Sequence, residues 1–270
     1  MKYSVTLAIS ILLVYCDKGS IVTIEPLAEV NFRVGSSWQY VWTTEIRDSL
    51  GNLLASASDT VLVRVAANGE ILGNDSGLTR FEAYSIPRYI GTQNVWYKST
   101  SVQFVEIAYS RPGVVPITLP KRGGLLWMSA KRDDDVFFFT PKSVQMLLAT
   151  GPYVDTILFR ADKRVVYKYP LVIGSSWTSF QDPFLQTREV VNLELLNAIN
   201  RVYNCAKIQT RLPTVSPNLE WFDYIAPEGL IARSIRIPKI PVSSPDDPEN
   251  PKGWITVMER LNIIYQGNPN

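Results

Sequence analysis

An antiparallel, mainly β fold is the architecture this sequence predicts, and three observations carry it. Apolar and polar residues alternate with period two in strand-length runs on both sides of a proline-interrupted middle. Val, Ile, Trp, Tyr and Phe fill many of the apolar positions, and the stretches between hold Gly, Pro, Asn and Asp. The expected form is an antiparallel meander closing as a sandwich, a curved sheet or a partly open barrel, with at most one or two short helices.

The chain opens with a segment of another kind. Lys2 supplies a positive start, Val5 to Tyr15 is apolar apart from Thr6 and Ser10, and Leu13-Val14-Tyr15-Cys16 follows. This is the pattern of a secretory signal closing on a lipid-acceptor cysteine, and it is shorter than the roughly 20 residues that span a bilayer. Residues 1–16 are therefore expected to be the signal, Cys16 the lipidation site and the membrane the first partner. Tyr15 departs from the pattern, because a small residue usually precedes such a cysteine.

The elements follow in order. Trp38, Tyr40 and Trp42 alternate with Gln39, Val41 and Thr43 as a first strand. Asp48-Ser49-Leu50-Gly51-Asn52 supplies turn chemistry, and Thr60 to Val65 supplies a β-branched return. Asn68-Gly69 fits a type I′ turn and the run from Gly73 to Gly77 a further reversal, with strands near Thr79 to Ser85, Val95 to Ser99 and Val102 to Tyr109. Pro112, Pro116 and Pro120 then interrupt the β signal. Thr140 as N-cap, Pro141 at the first helical position and Gly151 as a stop predict one helix with Ser143 to Thr150 as its body. From Arg164 onward the alternation predicts strands at Val165 to Tyr169, Trp177 to Phe180, Thr187 to Leu196, Val202 to Thr210, Leu219 to Tyr224, Leu230 to Ile237 and Trp254 to Tyr265. The proline-rich stretch from Pro238 to Gly253 reads as an exposed loop.

An internal echo runs through this order. Val34-Gly35-Ser36-Ser37-Trp38 recurs as Ile173-Gly174-Ser175-Ser176-Trp177, each copy just ahead of a strand. Two related halves are expected, residues 17–160 and 161–270, within two units or one continuous β domain. The paired serines have no base to activate them, so turn chemistry is their expected role.

Composition excludes several functions. Lys+Arg 27 against Asp+Glu 25 leaves a net charge of +2 with no basic stripe, so nucleic acid is not an expected partner. Histidine is absent, which removes Ser-His-Asp and Cys-His catalysis and the common zinc sites. Only Cys205 accompanies Cys16, so no disulfide is expected, and its place in an alternating strand predicts a buried, inert thiol. Asp133-Asp134-Asp135 lacks the spacing of a calcium loop and reads as a solvated turn. Glu220 and Asp223 flank two aromatics in the manner of a sugar hydrolase, but residues three apart on a strand point to opposite faces. No cofactor, metal or catalytic residue is expected.

Three segments carry a resemblance. Tyr169-Pro170-Leu171-Val172-Ile173-Gly174-Ser175-Ser176-Trp177, Tyr203-Asn204-Cys205-Ala206-Lys207-Ile208 and the run from Trp221 through Ala226-Pro227-Glu228-Gly229-Leu230-Ile231 resemble uncharacterised bacterial exported proteins and lipoproteins of the TapB-like kind, over residues 169–237. The resemblance implies an antiparallel β protein of the cell envelope and implies no activity.

The aromatic residues are the candidate binding groups. Trp38, Tyr40 and Trp42 on one strand face, and Trp96 beside Tyr97, have the chemistry to stack on a sugar, line a lipid cavity or pack a β core. The expected function is that of a noncatalytic, lipid-anchored envelope protein with a binding or scaffolding role toward a hydrophobic small molecule or an envelope protein. The alternative expectation is a carbohydrate-binding or carbohydrate-active module recognising a glycan through exposed tryptophans.

Overall fold

The computed structural model describes residues 25–30, 32–86, 93–110, 157–181, 185–213, 216–242 and 253–267. These residues form twelve strands and no helix: β1 Ser37–Asp48, β2 Leu53–Leu72, β3 Asp75–Ile86, β4 Gln93–Ser99, β5 Gln103–Ser110, β6 Ile157–Lys168, β7 Ser176–Phe180, β8 Gln186–Ala198, β9 Arg201–Leu212, β10 Ser216–Ala226, β11 Gly229–Val242 and β12 Gly253–Gly267. All pair antiparallel in one sheet, in the order β6-β5-β4-β3-β2-β1-β12-β11-β10-β9-β8-β7. Both expected β segments contribute to this single sheet, which curls into a nearly closed barrel.

Closure at the seam relies on side chains. β6 and β7 end the sheet's hydrogen-bonded order, yet Trp177 Nε1 and Ser179 Oγ of β7 donate to the Val165 carbonyl of β6 at 3.2 and 2.6 Å. Arg188 of β8 donates to the Val166 carbonyl at 2.8 Å. Carbonyls that would otherwise be orphaned at the sheet edge are thereby satisfied.

The short hairpins β4–β5, β8–β9 and β10–β11 lie at the end where the chain enters β1, here called the entry end. The segment before β1 crosses that end. Leu27 bridges to Leu171 with the Leu171 N–H donating to its carbonyl at 2.9 Å, Val30 is buried, and Phe32 packs into the interior. The opposite, far end holds the β1–β2 turn, where the Asp48 carboxylate accepts the N–H groups of Leu50 and Asn52 at 2.9 and 2.8 Å as the turn residues predict.

The two Gly-Ser-Ser-Trp turns make the same bonds. In the first, the Ser36 N–H donates to the Arg33 carbonyl at 3.0 Å, the Gly35 N–H to the Val65 carbonyl at 2.9 Å, and the Val65 N–H to the Ser36 carbonyl at 2.9 Å. In the second, the Ser175 N–H donates to the Val172 carbonyl at 3.0 Å, the Gly174 N–H to the Val190 carbonyl at 2.8 Å, and the Val190 N–H to the Ser175 carbonyl at 2.9 Å. Gly35 and Gly174 adopt φ of 89° and 86°, which glycine reaches without a steric penalty. Trp38 then faces Val63 and Trp177 faces Arg188, two residues before each valine.

Three local expectations are corrected. Asn68-Gly69 is no hairpin turn: β2 continues through it, and the pairs Ala67↔Arg80 and Glu70↔Leu78 leave one extra residue on β2. The positive φ of 77° at Gly69 makes a bulge, and the Asn68 side-chain carbonyl accepts from the Gly69 N–H and the Thr79 hydroxyl, both at 2.9 Å. The reversal occurs instead at Gly73 and Asn74. Likewise β11 runs through Pro238 and Pro241 to Val242, inside the stretch expected to be loop. Between Ile237↔Val257 and Ile240↔Ile255 a bulge with Lys239 at φ 57° absorbs the extra residue and keeps both isoleucines buried. β6 also begins ahead of the expected Arg164. The helix expected over Thr140 to Gly151 and the Asp133 to Asp135 turn lie outside the described residues.

Candidate functional site

Inward-facing residues sort into three levels. At the entry end an aromatic cluster joins Trp38 of β1, Phe81 of β3, Tyr97 of β4, Phe104 of β5 and Tyr167 of β6. Phe32 sits among them, with ring centroids 4.9 Å from Phe81, 5.0 Å from Phe104 and 6.0 Å from Trp38. Tyr97 stacks on Phe104 at 4.5 Å and Phe104 on Tyr167 at 5.8 Å, the spacings of a packed core. Toward the far end lies a second apolar cluster containing Leu219, Trp221, Ile235, Ile237 and Val257.

Between them runs a belt of buried charge. The register of β10 sets Asp223 opposite Arg233 of β11, and Trp221 opposite Thr210 of β9, which in turn faces Arg188 of β8. Arg233 clasps Asp223 with two bonds, Nε to Oδ1 at 2.5 Å and Nη2 to Oδ2 at 3.0 Å. Arg188 donates Nη2 to Asp223 Oδ2 at 2.6 Å and Nε to the Thr210 hydroxyl at 3.2 Å. Trp221 Nε1 adds a fourth donor to the carboxylate at 3.0 Å. The Trp221 ring lies against both guanidinium groups, at 5.8 Å from Arg188 and 5.2 Å from Arg233. Farther round the wall Arg164 binds Glu106 at 3.1 Å and the Gln186 side-chain carbonyl at 3.4 Å.

Electrostatics fixes the protonation states. Burial alone would push the Asp223 carboxyl up, but the charges of Arg233 and Arg188 and the bonds from Arg233 and Trp221 outweigh it and hold the group below the usual carboxylate range. Burial raises the hydroxyls of Tyr40 and Tyr167 well above the ordinary phenol range, so both stay protonated, and the Tyr40 hydroxyl donates to the Leu230 carbonyl at 2.8 Å. A four-fold-bonded carboxylate is no general acid. Among the described residues no group of three or more His, Cys, Asp or Glu is placed to hold a metal.

The candidate aromatics do not form one platform. Trp38 and Tyr40 are buried on the inner face, and Trp38 Nε1 donates to the Glu228 carbonyl at 2.9 Å. Trp42 is half-buried against the same cluster and faces Asp59 and Leu261. Trp96 and Tyr97 point to opposite faces: Tyr97 lies inside, whereas Trp96 is covered on the outside with Leu78, Val105 and Ile107 and donates to Glu70 at 2.6 Å. Glu220 and Asp223 diverge as the strand geometry predicts, Glu220 on the surface with Arg236 and Asp223 inside. Cys205 is free and buried, and burial pushes its thiol up to about 12. Cys16 lies outside the described residues. Sequence reasoning missed Arg188, Arg233, Arg164 and Glu106; their signal is a charge at an inward position of a strand whose neighbours in alternation are apolar.

No protein-family profile and no curated protein matches the chain. Similar solved structures include a "putative lipoprotein" from Parabacteroides distasonis, at 12% identity and a TM-score of 0.31, covering 88% of this chain and 100% of the other. A "putative exported protein with YmcC-like fold" from Bacteroides fragilis has 8% identity and a TM-score of 0.36, covering 88% and 98%. A DUF1329 family protein from Desulfovibrio piger has 10% identity and a TM-score of 0.19, covering 85% of each chain.

Proposed function

We propose that this chain is a noncatalytic envelope protein, attached by lipid at Cys16, that works as a scaffolding or binding module for a partner protein. The observation that carries the reading is the seating of Phe32 among Trp38, Phe81 and Phe104. A hydrophobic guest at the entry end has to displace the chain's own ring, so recognition falls to the outer surface and the far-end loops. The paired belt of Asp223, Arg188 and Arg233 supports the same reading, because its groups are consumed in holding strands together. The absent histidine supports the noncatalytic part, and the signal pattern and the resemblance over residues 169–237 support the envelope setting. The bonding pattern common to the two Gly-Ser-Ser-Trp turns supports an origin in two related halves.

Native mass spectrometry of the soluble form beginning at Asp17, which carries no anchor, tests the ligand half: a bare polypeptide mass is expected, and a copurified lipid would restore the hydrophobic-ligand reading. Fractionation tests the anchor. Cys16→Ser is expected to release the protein from membranes, and unchanged fractionation would refute lipid attachment. The glycan reading loses its proposed platform through the burial of Trp38, Tyr40, Trp96 and Tyr97, and a positive glycan array would bring it back.

A further inference from the structure

Exposed apolar side chains lie at both ends of the barrel, Leu50, Leu53, Leu54 and Trp254 at the far end and a larger set where the chain enters. Val34 lies just ahead of β1, Val102 in the β4–β5 turn, Ile173 in the β6–β7 link, Leu195 and Val202 on the β8–β9 hairpin, and Tyr265 near the end of β12. Each belongs to the entry end, and each is 47% exposed or more. Exposed charges of both signs stand at the same end, Arg33 and Lys168 beside Glu25 and Glu29. The first described residue also lies there: the Glu25 carbonyl accepts from the Asn204 side chain, and Asn204 shares the outer face of β9 with Val202.

We infer that the entry end is a bilayer-seating surface, its apolar tips dipping into the headgroup region. The inference rests on the proposed anchor at Cys16, and tether length makes the choice of end. Nine residue steps separate Cys16 from Glu25, at most about 30 Å of extended chain. β1 alone, eleven residue steps, is about 36 Å long. Slack to turn the far end toward the membrane is therefore lacking, whereas the entry end is delivered to it. Scattered tips of this kind bind weakly on their own, and a covalent lipid supplies the second signal that stable attachment needs.

The test uses the full lipidated chain in vesicles of phosphatidylethanolamine and phosphatidylglycerol. Single substitutions V102C and I173C at the entry end, and L50C and L54C at the far end, receive an environment-sensitive fluorophore; Cys205 is buried and stays silent. The labels at 102 and 173 are expected to shift to the blue and to be quenched by brominated acyl chains, as for groups about 5–10 Å into the interface. The labels at 50 and 54 are expected to do neither. Solvent-like emission at all four positions on a membrane-bound protein overturns the seat and leaves the anchor standing. If Cys16→Ser stays on membranes the anchor fails, and the same labels in that variant then decide the seat: blue-shifted emission at 102 and 173 supports it, aqueous emission overturns it. I173E with the label at 102 is expected to lose the shift without leaving the membrane.

Discussion

Asp223 and Arg233 face one another directly across the β10–β11 ladder and are joined by two hydrogen bonds inside the barrel. With Arg188 reaching the same carboxylate from β8, one anion ties three strands together and draws β6 in through the Val166 carbonyl. The belt thus lies across the seam that the backbone leaves open.

Removing the carboxylate strands two buried guanidinium groups. Asp223→Ala is expected to lower the unfolding free energy by about 3–5 kcal/mol, read as a fall in the urea midpoint. The pH dependence has a definite sign. Because the folded-state value is held below the unfolded one, the contribution of Asp223 is complete above the ordinary aspartate range and is lost as pH falls through the folded value. Asp223→Asn should flatten that acid limb, and an unchanged acid profile would show that other groups govern it.

Cys205 is fully enclosed and its thiol is pushed up to about 12. The folded chain should leave it unmodified by a maleimide at neutral pH, with reaction appearing only in denaturant. Rapid labelling of the native protein would contradict the buried placement.

Lys239 holds a left-handed conformation on an exposed bulge. Lys239→Asn or Lys239→Gly should raise stability by about 0.5–1 kcal/mol, since these residues enter that region with less strain than lysine. The denaturant midpoint is the readout, and a loss of stability would mean that the lysine side chain itself supports the bulge.

The twin turns predict matched penalties. No atom lies within 4 Å of a methyl group placed on Gly174, so the cost of Gly174→Ala comes from backbone strain alone, about 1–3 kcal/mol. Gly35→Ala, at nearly the same φ, should cost a similar amount. Strongly unequal midpoints would show that the two turns carry different loads.

Much of the fold is legible in the sequence because a half-buried strand writes its burial as alternation, as Trp38 to Tyr40 does. Legibility fails where one residue type serves two backbone geometries. Asn68-Gly69 has the torsions of a hairpin turn and of a bulge alike, and only the partner register separates them. The β8–β9 turn was silent for the converse reason: Ile199 and Asn200 both take positive φ, a conformation that isoleucine almost never announces. The buried belt is harder still, because Arg188 lies 35 residues from Asp223 and the β10–β11 pair meets it only when four strands settle into register. Trp96 and Tyr97 show the limit of adjacency, since neighbours on a strand face opposite ways.

Ahead of β1, Leu27 bridges to Leu171 and Phe32 sits edge-on against Phe81, on the side of the chain that leads to the proposed anchor. Tension on the lipid would therefore load the Leu27–Leu171 bridge first and the Phe32 socket next, before any strand is peeled from the sheet. In a chain held at Cys16 as proposed, a steady pull would reach the Leu27–Leu171 bridge and the Phe32 rings before the belt around Asp223.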